Sequence, residues 1–310
     1  MSGALSLRDV REGGRWSGAQ QLKNDAIFVA ATSAWWLCGR LPARALALLG
    51  RAVGAMGHAV LASERSRAIA HVRRALPELT EGQARALVRA CFRQLGIALG
   101  ETVAASRSPV ALLTMSEGAL ATINSARAEG RGVILPSAHL GPWERVAATL
   151  VARGVPLVTL VRESYDPRLD VLLGGVRAAA GVRTIPRGSP HAAIRIVRAL
   201  RAGDVLGAPM DLRSRVPSAP VPFLGLSAPT AIGPARIALR SRAPVVVCSL
   251  ERTGGGLTIT ATRVHVRASD ALDPALELTR VINDELSRRI LTAPELWPWM
   301  HPRWDAHPAL

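Results

Sequence analysis

Apolar and polar positions along the chain change rhythm near residue 130. Before that point the spacing is helical. An uncharged stretch at 26–38 (AIFVAATSAWWLC) is followed, after Gly39 and Arg40, by a second apolar stretch at 41–62 that Arg44 and Arg51 interrupt. Leu46, Leu49 and Val53 recur at helical spacing and leave those arginines near an edge or on the opposite face. The first stretch is shorter than the roughly 20 apolar residues that a membrane span needs. Residues 65–106 read as helices separated at Pro77, with Thr80 as an N-cap and Glu81 in the first turn.

Beyond residue 130, short apolar runs alternate with helical stretches. Strands are predicted at 132–137, 156–161, 182–186, 204–209, 244–250 and 257–266, the last entered through a glycine turn at 254–256. Helices are predicted at 143–153, 167–180, 190–201, 230–240 and 273–291. This alternation implies an α/β fold with a mainly parallel sheet flanked by helices on both faces. The expected organisation is a polar segment at 1–25 and a single domain at 26–310. Within that domain, a helical, membrane-associated lobe (26–106) precedes an α/β body (107–310). Ligands of such sheets collect beyond the carboxyl ends of the strands.

Composition narrows the function classes. A hydrophobic share of 49% excludes a disordered chain. The 39 basic and 23 acidic residues leave a net charge of +16, which calls for an anionic partner, either nucleic acid or a membrane surface. The basic residues are almost all arginine, since Lys23 is the only lysine, and they are scattered. With 4% aromatic residues and no helix-turn-helix or RNP-like block, that pattern argues against nucleic acid. The paired Trp35 and Trp36 suit headgroup depth. The first reading of the lobe is therefore a basic helical surface on an anionic leaflet, and the alternative is a pair of ordinary core helices. Cys38, Cys91 and Cys248 form neither a disulfide framework nor a zinc spacing, and 1–25 has no signal-peptide pattern. A reduced compartment, no metal and no cofactor are expected.

Of seven histidines, only His139 directly follows an apolar strand, precedes a helix start and has an acid a short distance ahead, in His139-Leu140-Gly141-Pro142-Trp143-Glu144. Gly141 permits the tight turn, and Pro142 suits a first helical turn. Glu144 is expected to fold back so that its carboxylate reaches the imidazole, fixing the tautomer and raising the basicity of the other nitrogen. No G-x-S-x-G elbow is present, and no cysteine has a neighbouring base. The pair would then activate a hydroxyl brought by a substrate, without a covalent enzyme intermediate. A helix-capping pair with no chemistry is the alternative. His191 has no acid partner nearby, and His301, with Asp305 and Pro302, reads as part of a C-terminal loop. Trp297, Trp299 and Trp304 suit either an acyl site, a membrane face or core packing.

The run 131–144 (RGVILPSAHLGPWE) resembles the H-x4-D/E block of glycerolipid acyltransferases. More narrowly, it resembles that of the bacterial lipid A late acyltransferases and the related phosphatidylinositol mannoside acyltransferases. Further blocks follow in the family's order: Arg162, then R-x3-G at Arg177, Asp211 in PMDLRSR, the PVPFLG stretch, and PELWPWMHPRW at 294–304. Pro142 stands where the family usually has asparagine. The resemblance implies transfer of a fatty acyl group from an acyl carrier protein or coenzyme A thioester to a hydroxyl of a membrane glycolipid or lysophospholipid, with a lipid A-type acceptor favoured. It implies His139 as general base, Glu144 as its partner, and Arg162, Arg177, Asp211, Gly141 and Trp143 as substrate contacts. The implied location is the cytoplasmic face of a bacterial inner membrane, peripheral or shallowly anchored. A thioesterase or lipid hydrolase using the same pair, a basic nucleic-acid-binding protein and an inactive scaffold are the alternatives.

Overall fold

The computed structural model describes residues 16–106, 111–162, 164, 166–213, 216–265 and 273–304. Most of the expected polar N-terminal segment, the end of the strand expected at 257–266, and Asp305 lie outside these residues. Four helices come first: α1 (Gly18–Cys38), α2 (Ala43–Val60), α3 (Ala62–Ala75) and α4 (Glu81–Ala105). Helix α1 starts ahead of the apolar stretch, because Ser17 caps it and accepts from the Gln20 N–H. Thr80 caps α4 in a full capping box, and Gln83 returns its side chain to the Thr80 backbone N–H at 2.8 Å.

After helix α5 (Glu117–Arg127) the chain enters the sheet with β1 (Val133–Ser137) and turns into α6 (Trp143–Ala152). It continues through β2 (Leu157–Val161), α7 (Pro167–Ala179), β3 (Arg183–Pro186), α8 (Ala192–Arg201) and β4 (Val205–Pro209). A hairpin, β5 (Ser218–Phe223) and β6 (Leu226–Ala231), precedes α9 (Gly233–Ser241). Strands β7 (Val245–Thr253) and β8 (Gly256–Val264) and helix α10 (Pro274–Thr292) follow. The six-stranded sheet runs β3-β2-β4-β1-β7-β8, parallel throughout except for the last strand, as the α/β pattern implied. Its central strands are buried, and the flanking helices complete one continuous apolar core.

The hairpin departs from the expected helix at 230–240, which begins instead at Gly233. Pro220, Pro222 and Pro229 obscure its strand character in the sequence. They are tolerated because both strands of a two-stranded sheet are edges. Its turn residues Leu224 and Gly225 both have positive φ, as a two-residue primed turn requires. The Leu224 N–H is held by the Ser287 hydroxyl at 2.9 Å.

Helix α2 packs with an inverted logic. Its buried stripe is Leu46, Gly50 and Gly54, while Leu48, Val53, Met56 and Val60 face outward. The glycines let its backbone touch that of α4. A Cβ on Gly50 would overlap the Gly96 carbonyl, and one on Gly96 would overlap that of Gly50. Among the described residues no single helix is long and apolar enough to cross a membrane. Replacing Gly50 or Gly96 by alanine should cost about 1–3 kcal/mol through forced separation of the helices. Gly57→Ala, whose Cβ would meet nothing closer than 3.7 Å, should be neutral or slightly stabilising. Urea unfolding of the three variants measures the contrast.

Candidate active site

Strands β1 and β4 are parallel neighbours in a register that places Ser137 opposite Pro209. Two residues further on, His139 and Asp211 therefore leave the sheet side by side. The Met210 N–H, donating to the Ser137 carbonyl at 3.1 Å, carries the ladder past the strand ends. His139 Nδ1 lies 2.9 Å from Asp211 Oδ1, and the His139 backbone N–H donates to Asp211 Oδ2 at 2.8 Å. The Trp297 indole N–H donates to the same Oδ2 at 2.9 Å.

Asp211 is fully buried. Burial alone would push its carboxyl upward. The facing imidazole and the hydrogen bonds from His139 and Trp297 outweigh that and hold the carboxyl below the ordinary carboxylate value. Its stabilising contribution is therefore present above the unfolded aspartate range and lost as pH falls through the folded value. An ionised carboxylate only accepts, so Nδ1 donates to it and Nε2 is the ring nitrogen turned away from the acid. His139 is partly exposed, with 27% of its side chain accessible, and the edge-on Trp143 ring at 5.2 Å limits its rotation.

The expected pairing of His139 with Glu144 is thus replaced by one with Asp211. Glu144 does sit in the first turn of α6, as the sequence implied, but its carboxylate reaches across to α7. There Arg177 donates to it through Nε at 3.0 Å and through Nη2 at 2.5 Å. The guanidinium fork satisfies both carboxylate oxygens, a stronger arrangement than a single imidazole contact. Gly141 adopts φ +63° and its N–H donates to the Leu296 carbonyl at 3.0 Å, so it shapes the turn that delivers His139.

A cavity of about 270 Å³ opens over this constellation, and His139, Trp143, Glu144, Arg162 and Arg177 all border it. Asp211 lies beneath it, behind the imidazole. The lower wall is apolar, including Leu135, Val146 and Leu150. The Glu144–Arg177 pair is shared with the wall of a second cavity, of about 350 Å³, lined largely by small apolar residues such as Ala148, Ala152 and Val176. Arg187, which the sequence did not mark, and His301, which it read as part of a C-terminal loop, border the first cavity too. The Arg187 guanidinium Nη2 donates to the Pro209 carbonyl at 3.3 Å, and its backbone N–H to the Val161 carbonyl at 2.9 Å. Its position after a four-residue strand was the only available signal. Trp297, Trp299 and Trp304 pack with Phe223 into a buried aromatic cluster, so core packing is their role, with Trp297 also holding Asp211.

Among the described residues no group of histidine, cysteine and acidic side chains could hold a metal ion. Burial pushes the thiols of Cys91 and Cys248 up to about 12, so neither supplies a thiolate nucleophile near neutral pH. Iodoacetamide at pH 8 should leave both unmodified in the folded protein and alkylate them once urea is added. Peptide mass spectrometry reads the result.

The sequence model for the family described as bacterial lipid A biosynthesis acyltransferase matches residues 20–306. The chain is similar to a phosphatidylinositol mannoside acyltransferase of Mycolicibacterium smegmatis, 28% identical over 189 residues. That match covers 59% of this chain and 60% of the relative, less than two thirds of its length. It is also similar to the lipid A biosynthesis palmitoleoyltransferase of Escherichia coli, 26% identical over 283 residues. Here 88% of this chain and 89% of the relative are covered.

Proposed function

The chain belongs to the bacterial lipid A biosynthesis acyltransferase family, and on that premise we propose that His139 and Asp211 drive direct acyl transfer from a thioester to a lipid hydroxyl. The single observation behind this reading is the imidazole at the cavity, with one nitrogen on a buried carboxylate and the other available to a substrate. The donor is an acyl thioester of acyl carrier protein or coenzyme A, and the acceptor is a membrane glycolipid of lipid A type or a lysophospholipid.

In the proposed step, Nε2 of His139 takes the proton of the acceptor hydroxyl as its oxygen bonds to the thioester carbonyl carbon. Asp211 stabilises the imidazolium without being protonated itself. Collapse of the tetrahedral intermediate breaks the C–S bond, and the departing thiolate takes the proton from Nε2. The products are an ester and a free thiol. Glu144 fixes the Arg177 fork at the cavity wall, and Arg162 and Arg177 together make that wall attractive to phosphate. Nothing in the step needs a cofactor.

Transfer to a lipid hydroxyl requires access to a membrane, and the helical lobe is suited to it. Apart from Leu46, helix α2 uses glycine where it meets protein and sets large apolar residues where it does not, the division of labour that serves helices packed in lipid. Trp36 and Leu37 of α1 are exposed beside it, and the Arg40 guanidinium lies 3.2 Å over the Trp36 ring. An apolar face with neighbouring arginines binds an anionic leaflet by insertion and by charge. The proposed location is therefore peripheral, on the cytoplasmic side of an inner membrane.

Two measurements test the proposal. Thiol release from an acyl thioester should depend on added lipid acceptor, and acceptor-independent release would make the protein a hydrolase instead. His139→Ala and Asp211→Asn should each lower transfer about a thousandfold or more, and Glu144→Gln should cost less than Asp211→Asn. The reverse order would return the orienting role to Glu144. Separately, replacing Leu48, Met56 and Val60 together by serine should weaken co-sedimentation with phosphatidylglycerol vesicles at least tenfold, given about 1.5–3 kcal/mol per buried apolar side chain.

A further inference from the structure

One imidazole at the active-site cavity takes no part in the proton transfer above. His301 lies on the turn that follows Trp299. Its backbone N–H donates to the Pro298 carbonyl at 2.9 Å, and its carbonyl accepts from the Arg303 N–H at 2.7 Å. The backbone is therefore fixed, while the side chain makes no hydrogen bond among the described residues. The same turn begins with Trp297, whose indole holds Asp211, so one short segment supports the catalytic acid and delivers His301 to the cavity.

His301 Nδ1 is enclosed by protein and has no hydrogen-bond partner among the described residues. Folded proteins rarely leave a polar atom in that condition without a reason. An enclosed N–H without a partner is rarer than an enclosed acceptor. The neutral ring therefore carries its proton on Nε2, the nitrogen left for the cavity.

The surroundings keep the ring neutral. Burial drives its pKa down to about 4. Asp211 pulls it up, but His139, Arg303 and Arg162 add to the depression. A second general base is not needed here, and among the described residues no carboxylate hydrogen-bonds this ring, since Asp211 is already bonded to His139 and Trp297. What His301 offers is an N–H donor that stays uncharged.

We propose that His301 is a catalytic hydrogen-bond donor to the thioester carbonyl oxygen, holding the oxyanion of the tetrahedral intermediate. The assignment rests on the acyl-transfer reading above. As the acceptor oxygen bonds to the carbonyl carbon, the C=O π pair moves onto oxygen and the Nε2–H of His301 hydrogen-bonds it. When the intermediate collapses, that pair re-forms C=O and the C–S pair leaves with sulfur, which collects the proton from His139. His301 neither gains nor loses a proton. A neutral donor binds an uncharged carbonyl weakly and an oxyanion strongly, and that difference is what accelerates a reaction.

The test is steady-state kinetics of acyl transfer with wild type, four His301 variants and His139→Ala, with thermal unfolding as the folding control. His301→Ala should lower kcat about 10²–10³-fold with KM for both substrates nearly unchanged. His301→Gln, whose amide N–H falls near the Nε2 position, should recover about tenfold of that loss. His301→Asn and His301→Phe should not, and Phe fills the space if the alanine variant fails to fold. An unchanged kcat in His301→Ala and His301→Phe overturns the assignment, as does equal recovery by Phe and Gln, which would make the role one of packing. A wild-type protein that transfers no acyl group to lipid, with His139→Ala indistinguishable from it, overturns the functional reading and this assignment with it.

Discussion

A parallel ladder decides which strands are neighbours and also which residues leave them together. Here β1 and β4 share a register in which Ser137 faces Pro209, so His139 and Asp211 emerge at the same height. The carboxylate then accepts from the imidazole, from the His139 backbone and from Trp297. Those donors allow a fully buried charge to persist, since an unpaired one would be neutralised. A slip of this register would separate the two side chains and strand the carboxylate inside the core. The sheet order is thus the constraint on which the chemistry depends.

The local half of this arrangement was legible and the non-local half was not. The strand ending in Ser137, the turn through Gly141 and the helix opening at Trp143 each have a short-range cause, and the structure contains all three. Asp211 was visible as an acid after a strand. Nothing in the chain says that its strand lies beside β1 and not beyond β2, because strand order is settled by packing. Glu144 therefore looked like the nearer partner. Its connection to Arg177 joins two helices whose adjacency was equally invisible. The β5–β6 hairpin was hidden for a different reason: prolines suppress strand character in a sequence, yet cost little where the strand edge is free. His301 was set aside because Pro302 and a loop surround it, and its burial beside the cavity depends on the aromatic cluster beneath it.

The helical lobe follows another economy. Most surface helices turn their large apolar residues inward, whereas α2 gives most of its interior to Gly50 and Gly54, beside Leu46, and its exterior to leucine, valine and methionine. The Gly50–Gly96 approach brings two backbones together with no intervening side chains, so its attraction comes from close packing and not from removal of apolar area from water. Such a contact loses nothing when the solvent outside is hydrocarbon. The +16 charge, scattered as it is, accords with the proposed attachment to an anionic surface.

The segment that begins at Trp297 follows every strand of the sheet in chain order, yet it props up an acid that leaves a central strand. Until that segment docks, Asp211 has lost one of its donors and sits under an incomplete roof, and the Gly141 turn lacks its anchor on the Leu296 carbonyl. A chain can thus complete its sheet while the His139–Asp211 pair is still only partly supported. Closing the sheet and finishing the pocket are therefore separate events, joined by a turn that lies downstream of every strand.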